Sequence, residues 1–245
     1  MPLEHVRGAY GVWTVGACGS GADEAQWDQK RVTELRRPDA VAWPGKQFAY
    51  LIAAAAMVVD HVGAYLLPEV RWLRVVGRLA FPVFAMGAAV GYGTTRSLPR
   101  YLFRLLLAAS AAQVFCFLLG MRCLNAVYTL AAGLVLLQLF DCGVVWGFAG
   151  LAAFAGVSRF FDYGLYGVLL VLLFRYVPAR WAPAALGALT LLFFGLDIQL
   201  ASLASLIVVR ARARVRLPRH FFYVFYPAHL AAIWAVLRLA GQWAA

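Results

Sequence analysis

Three ionisable side chains lie inside long apolar stretches of the sequence. Asp60 and His61 are adjacent in AAAAMVVDHVGAYLL, and Arg78 follows in VVGRLAFPVFAMG. If these stretches cross a bilayer, a charge at mid-membrane costs about 3 kcal/mol on insertion scales, so such residues are candidates for function. Asp60 and Arg78 would lie at similar depth if the two stretches form antiparallel helices with a short connection. The sequence therefore predicts an ion pair between Asp60 and Arg78.

His61 needs a different partner from Asp60. Neighbouring residues on a helix diverge by about 100°, so Asp60 cannot orient His61 as the acid of a catalytic triad would. We predict that Asp60 pairs with Arg78, and that His61, whose side chain ordinarily titrates near neutral pH, acts as a general base. The alternative is a structural polar cluster that joins the two helices.

A second group of polar side chains lies in the last apolar stretch, HFFYVFYPAHLAAIW. Tyr223, Tyr226 and His229 are spaced i, i+3 and i+6, which places them near one helical face. Pro227 lacks the amide that would bond the Tyr223 carbonyl, so a kink is expected beside them. The alternative for the two tyrosines is packing within an aromatic belt at the membrane interface.

The run RARARVRLPRH could bind the phosphates of a nucleotide-bearing cofactor, because arginine matches phosphate oxygens with two parallel hydrogen bonds. The alternative is that these arginines only fix membrane topology. The residues that we predict to bind the cofactor are Arg210, Arg212, Arg214, Arg216, Arg219, Asn125, Arg100 and Arg104.

Composition defines the elements that must position these residues. The chain is 64% hydrophobic and 13% charged, with a mean hydropathy of +0.76, well above the balance of a soluble domain. In lipid every backbone amide must be bonded within its own segment, and the apolar stretches lack the alternation of barrel strands. An all-α, polytopic integral membrane helical bundle is therefore expected, with the lipid bilayer as its surroundings.

Hydropathy predicts about nine transmembrane helices, with eight to ten allowed because Asp197 interrupts the apolar stretch 182–209. The predicted helices cover about 47–67, 75–93, 101–120, 124–140, 143–157, 162–177, 182–196, 199–209 and 221–240.

Basic residues indicate the orientation. Sixteen of the 22 arginines and lysines fall on the side of the N-terminus, which predicts a cytoplasmic N-terminus in the bacterial inner membrane. The net charge of +11 does not indicate nucleic acid, because the arginines lie between apolar segments rather than on one amphipathic face. Residues 1–45 are expected to form a poorly ordered cytoplasmic tail and residues 46–245 the membrane domain. The four cysteines show no metal-ligand spacing, so no metal is predicted.

Several motifs in order resemble the TraX family, membrane proteins of conjugative plasmids that acetylate pilin. The resemblance runs from about Lys46 to the end of the chain. It rests on MVVDHVGAYL, GRLAFPVFAMGAAVGYGTTR, RYLFRLLLAASAAQ, LNAVYTLAAGL, YGLYGVLLVLLF and HFFYVFYPAHL. The first 45 residues and the segments 140–161 and 180–216 carry no family motif. The resemblance implies functional roles for Asp60, His61, Arg78, Tyr223, Tyr226 and His229.

The resemblance also implies an activity, the transfer of acetyl from the substrate acetyl-CoA to the N-terminal amine of a pilin subunit. His61 or His229 would accept the proton of the amine, and Arg78 or a tyrosine hydroxyl would stabilise the oxyanion. Two alternatives remain. The acceptor could be a glycan or lipid hydroxyl, or the protein could be a non-enzymatic component of pilus assembly or transport.

Overall fold

The computed structural model describes residues 43, 45–213, 215–218 and 220–241, and the regular secondary structure of these residues is helical. The predicted all-α class is confirmed. The predicted tail lies outside the described residues, apart from Trp43 and Gly45. The α-helices are α1 Lys46–Tyr65, α2 Arg71–Gly77, α3 Ala80–Thr94, α4 Leu98–Leu118, α5 Ala126–Cys142, α6 Val144–Val157, α7 Gly164–Tyr176, α8 Ala182–Phe194, α9 Ser205–Arg210 and α10 Phe221–Leu239, with 3-10 helices at Ser158–Phe160 and Ile198–Ala204.

Four helical segments of the described chain are long and apolar enough to cross a membrane: Lys46–Tyr65, Arg71–Thr94, Leu98–Leu118 and Phe221–Leu239. Five shorter apolar segments, between Ala126 and Arg210, complete the bundle. The number and order of these segments agree with the nine predicted helices. The outer surface of α6 is rich in exposed apolar side chains such as Trp146 and Phe148, as expected of a helix that faces lipid.

The second predicted helix differs from the structure in detail. We expected one helix over 75–93, but the helical segment begins at Arg71 and is interrupted between Gly77 and Ala80. Pro82 contributes to this interruption because it has no amide to donate to the Arg78 carbonyl. The apolar stretch 182–209 is likewise divided, since the Asp197 side chain accepts a hydrogen bond from the Ile198 amide and starts a 3-10 helix.

Helices α1 and α2 pack against each other at two glycines. A Cβ added at Gly63 would lie 2.6 Å from the Leu73 Cβ, and one added at Gly77 would collide with the Asp60 side chain. Both positions therefore accept no side chain unless a helix moves. This close approach places Asp60 against Arg74 of α2 and against Arg78, the residue that follows α2.

The largest apolar core lies between α3, α5 and α7, and includes the fully buried residues Leu134, Leu137 and Leu170.

Two connecting segments run next to each other at one end of the bundle. The Leu124 amide donates to the Phe160 carbonyl at 2.7 Å, and the Asp162 amide donates to the Leu124 carbonyl at 2.9 Å. These bonds fix the backbone at Asp162.

Replacing Gly77 with alanine tests the close packing of α1 on α2. We expect Gly77→Ala to lower the free energy of unfolding by about 1–3 kcal/mol, because the added methyl group forces Asp60 and the helix apart. Gly156→Ala in α6 is the matched control, since its Cβ would meet nothing within 4 Å. Thermal unfolding of the two variants in detergent measures the difference, and equal stability would contradict the packing argument.

Candidate functional site

Asp60 forms two ion pairs with the neighbouring helical segment. Its Oδ1 lies 3.0 Å from Arg78 Nη2, and its Oδ2 lies 2.6 Å from Arg74 Nη1. The predicted Asp60–Arg78 ion pair is confirmed. Arg74 was assigned from the sequence to a connecting loop only. Its spacing of i, i+4 from Arg78 within one helical segment was the available signal that both arginines share a face.

Each nitrogen atom of the Arg78 guanidinium has a protein partner. Nε donates to the Arg74 carbonyl at 3.1 Å, and Nη1 donates to Gln199 Oε1 at 3.2 Å, while Nη2 contacts Asp60. Gln199 is 3% exposed and belongs to the 3-10 helix over Ile198–Ala204. Arg78 is therefore held in place by these three contacts.

His61 pairs with His229, the histidine of the last helix. The His61 Nδ1 lies 2.8 Å from the His229 Nε2, and the His229 Nδ1 lies 3.0 Å from the Phe225 carbonyl oxygen. Asp60 and His61 thus have different partners, as predicted.

The hydrogen bonds of this pair define its protonation pattern. A carbonyl oxygen only accepts, so the His229 Nδ1 must carry a hydrogen, and a neutral His229 then accepts at Nε2. The donor to the His229 Nε2 is the His61 Nδ1–H. A neutral His61 with its hydrogen on Nδ1 has a lone pair at its own Nε2. The His61 Nε2 makes no hydrogen bond among the described residues. It is available as a base.

A cavity of about 550 Å³, here called the Lys46 cavity, runs along α1. It is lined at one end by Lys46 and Arg104, and at the other by His61 and Asp162. Lys46 and His61 are 15 residues apart in one helix, which corresponds to about 22 Å along its axis. The Lys46 cavity therefore reaches most of the length of the helix.

A second cavity of about 570 Å³, here called the Arg159 cavity, lies at the other end of the bundle and is lined by Ser158, Arg159 and Phe194. The two cavities share part of their lining, and we call the shared residues the junction: Asp60, His61, Tyr65, Met121, Asp162 and Tyr163. The candidate base is therefore reachable along both cavities.

Both predicted tyrosines of the last helix line the Lys46 cavity. The ring of Tyr226 lies 5.6 Å from that of His229, and its hydroxyl forms no hydrogen bond within the described part of the chain. Tyr223 lies one turn nearer the Lys46 end, where its ring is 6.4 Å from that of His220. Of these two tyrosines, Tyr226 is the one that lies close to the histidine pair.

The residues predicted to bind a cofactor are placed differently from one another. Arg104 lines the Lys46 cavity, as do Leu217 and Pro218 of the basic segment. Asn125 is fully buried, and its side-chain amide nitrogen donates to the Ala109 carbonyl and to Gln113 at 2.9 Å each. Of the other predicted residues, Arg100, Arg210, Arg212 and Arg216 are exposed and line neither cavity. Arg214 and Arg219 lie outside the described residues.

Sequence reasoning missed Asp162 as a site residue. It lies directly before the motif YGLYGVLLVLLF, and it lines both cavities. Desolvation by the surrounding protein raises the pKa of the Asp162 carboxyl to about 6. The positive charges of Arg78 and Arg74 partly oppose that rise. The available signal was an acidic residue within an otherwise apolar and aromatic segment.

Comparison with known proteins gives one family, two relatives and no solved structure. The model of the family described as "TraX protein" matches residues 47–237, which include α10 as far as Leu237 and every junction residue. A probable fimbrial assembly protein of Dichelobacter nodosus, serogroup H1, is 27% identical over 223 residues, covering 75% of this chain and 91% of that protein. An uncharacterized protein of Rickettsia prowazekii (strain Madrid E) is 44% identical over 41 residues, covering 17% of this chain and 16% of its own length. No solved structure matches the chain.

Removing the charge of Asp60 tests the ion-pair cluster. Asp60→Asn leaves Arg74 and Arg78 without a counter-charge, so we expect a loss of about 3–5 kcal/mol in the free energy of unfolding. Arg74→Gln is the matched control, because its side chain is 34% exposed and its removal leaves Asp60 paired with Arg78. Thermal unfolding in lipid micelles should rank Asp60→Asn as clearly the more damaging change, and the reverse order would contradict the cluster.

Proposed function

The chain belongs to the TraX family, and on this basis, together with the geometry of its cavities, we propose that it is a membrane-embedded acetyltransferase. It transfers acetyl from acetyl-CoA to the N-terminal amine of a pilin subunit. Family membership and the relative described as a fimbrial assembly protein support the pilus-related role. The apolar helices support a membrane location, which we propose to be the bacterial inner membrane.

The observation that carries this proposal is the position of His61. Its unpartnered Nε2 lies at the junction, where a substrate in the Lys46 cavity could meet a substrate in the Arg159 cavity. An acyl transfer to an amine needs a base within hydrogen-bond reach of the nucleophile. When both substrates are bound next to each other, their reaction becomes effectively unimolecular, which lowers its entropic cost.

The Lys46 cavity suits acetyl-CoA. We place its end near Lys46 in the cytoplasm, because basic residues gather on the cytoplasmic side of membrane proteins. The phosphates of the nucleotide would contact Lys46 and Arg104, and the apolar length of the cavity would hold the pantetheine arm. The thioester would then lie near His61, and the acceptor would enter through the Arg159 cavity.

The chemistry follows from the groups at the junction. An N-terminal ammonium, with an ordinary pKa of roughly 8, must lose a proton before it attacks the thioester, and His61 Nε2 accepts that proton. His229 holds the His61 ring through its Nε2. Arg78 or the Tyr226 hydroxyl stabilises the oxyanion, a role that contributes about 3 kcal/mol in enzymes where it is known. The tetrahedral intermediate then expels the thiolate of CoA.

Two rival functions are separated from the proposed one by two measurements. A glycan or lipid hydroxyl as acceptor predicts acetyl-CoA binding without acetylated pilin, and a transport or assembly role predicts no acetyl-CoA binding. Mass spectrometry of pilin from cells with and without the protein decides between an amine and a hydroxyl acceptor. Thermal stabilisation of the purified protein by acetyl-CoA decides between an enzyme and a transport component.

Two arginines one turn apart in α4 test the acetyl-CoA site. Arg104 lines the Lys46 cavity and Arg100 does not, so Arg104→Gln combined with Lys46→Gln should weaken acetyl-CoA binding by about ten-fold at low salt. Arg100→Gln should leave the affinity nearly unchanged. The shift in unfolding temperature with acetyl-CoA concentration measures the affinity of each variant. Equal affinities of the Arg104→Gln, Lys46→Gln double variant and the Arg100→Gln variant would contradict the assignment of the Lys46 cavity to acetyl-CoA.

Histidine variants test the base. His61→Ala should reduce acetyl transfer by about 10²–10⁴-fold without loss of the protein from the membrane, because a general base contributes this much. His229→Ala should cost less, since it removes only the group that orients His61.

The matched control is His220→Ala, an exposed histidine outside both cavities. Its activity should equal that of the unmodified protein in an assay of labelled acetyl transfer to pilin. Full activity of His61→Ala would refute the role of His61.

A further inference from the structure

Asp162 differs from Asp60 in what surrounds its carboxylate. These two are the acidic residues that line the cavities of the described chain, and both line both cavities. Asp60 is bound by two guanidinium groups. The Asp162 carboxylate has no ion pair and no hydrogen bond with any described residue. Asp162 is exposed to the space of the junction, which it lines.

The backbone holds Asp162 in place without using its side chain. Its amide donates to the Leu124 carbonyl, and the next residue, Tyr163, stacks on Phe81 with ring centroids 3.7 Å apart. The backbone that carries the carboxylate is thus held in place, while both carboxylate oxygen atoms remain without a hydrogen bond to the described residues. An arrangement of this kind is typical of a group that completes its hydrogen bonds with a ligand.

Two nearby positive charges act on the Asp162 carboxylate without forming an ion pair with it. Arg78 and Arg74 attract the carboxylate through space, which opposes the effect of burial on its pKa. Every nitrogen of the Arg78 guanidinium already donates to Arg74, Gln199 or Asp60. An anionic group with unfilled acceptor sites favours a cationic ligand that brings N–H donors, and disfavours a phosphate.

We propose that Asp162 binds the ammonium form of the acceptor amine at the junction, and so selects an amine over a hydroxyl acceptor. This inference rests on the proposed function, because it names the group that recognises the acceptor of that reaction. An ammonium held by Asp162 would share the junction with His61, which removes its proton.

The ammonium gives one proton to the His61 Nε2, and the resulting amine forms a bond to the thioester carbon. When the carbon–sulfur bond breaks, the thiolate of CoA takes the proton from His61, and the nitrogen loses its second proton to the surrounding water. The products are the acetylated amine, CoA thiol and one proton.

The test uses two peptides that differ in one atom group. The first is a short apolar peptide with a free N-terminal alanine, and the second carries a hydroxyl in place of its N-terminal amine. Their affinities for the purified full-length protein are measured by calorimetry in lipid nanodiscs, in the absence of acetyl-CoA. We expect the amine peptide to bind about ten-fold more tightly, as a charge-assisted hydrogen bond would provide.

Variants of Asp162 decide the cause of the preference. Asp162→Asn should abolish the ten-fold preference, and Asp162→Glu should keep part of it. Glu69→Gln is the matched control, because Glu69 is exposed and lines neither cavity. Equal binding of both peptides by the unmodified protein, or an intact preference in Asp162→Asn, would overturn the proposal. Failure of acetyl-CoA to bind would count against the acetyltransferase function alone, since the peptide measurement does not depend on it.

Discussion

The carboxylate of Asp60 is tolerated among apolar helices only because the adjacent segment supplies two opposite charges. A buried charge without a partner is expensive, and the partners must come within hydrogen-bond distance to compensate for lost hydration. Arg74 and Arg78 reach Asp60 because Gly63 and Gly77 let α1 and α2 approach closely. The geometry of the helix pair is therefore set by the requirement to neutralise one side chain.

The same constraint fixes the direction of His61. Once Asp60 faces α2, the next residue in α1 must point about 100° away, toward α10 and the cavities. His229 meets it there at 2.8 Å. The ion pair of Asp60 thus sets the direction in which the His61 side chain leaves α1. Loss of the ion pair would disturb the base even if every histidine remained in place.

The sequence was sufficient to predict the elements and part of the site. The helical class, the order of the segments and the Asp60–Arg78 ion pair follow from hydropathy and from the cost of buried charge, which are properties of the local sequence. The contact between His61 and His229 joins residues 168 positions apart, and no local pattern determines such a pairing. The break near Arg78 was also unexpected in extent, because a proline indicates a kink but does not define how many residues leave the helix. Asp162 was missed because it is distinguished by lining both cavities without a hydrogen-bond partner among the described residues. The cavities that show this are visible only in the structure.

In the proposed function, the histidine pair also links activity to completion of the fold. His61 belongs to the first described helix and His229 to the last, and α10 is held against α4 by an apolar cluster that includes Ala112, Leu230 and Ile233. Until α10 docks, the His61 Nδ1 has no acceptor, and either of its ring nitrogens can carry the hydrogen. Docking fixes the hydrogen on Nδ1, because the Phe225 carbonyl fixes the tautomer of His229. The free lone pair then faces the junction only in the assembled bundle. A base formed in this way is absent from incompletely folded chains, so the reactive geometry arises together with the two cavities that bring substrates to it.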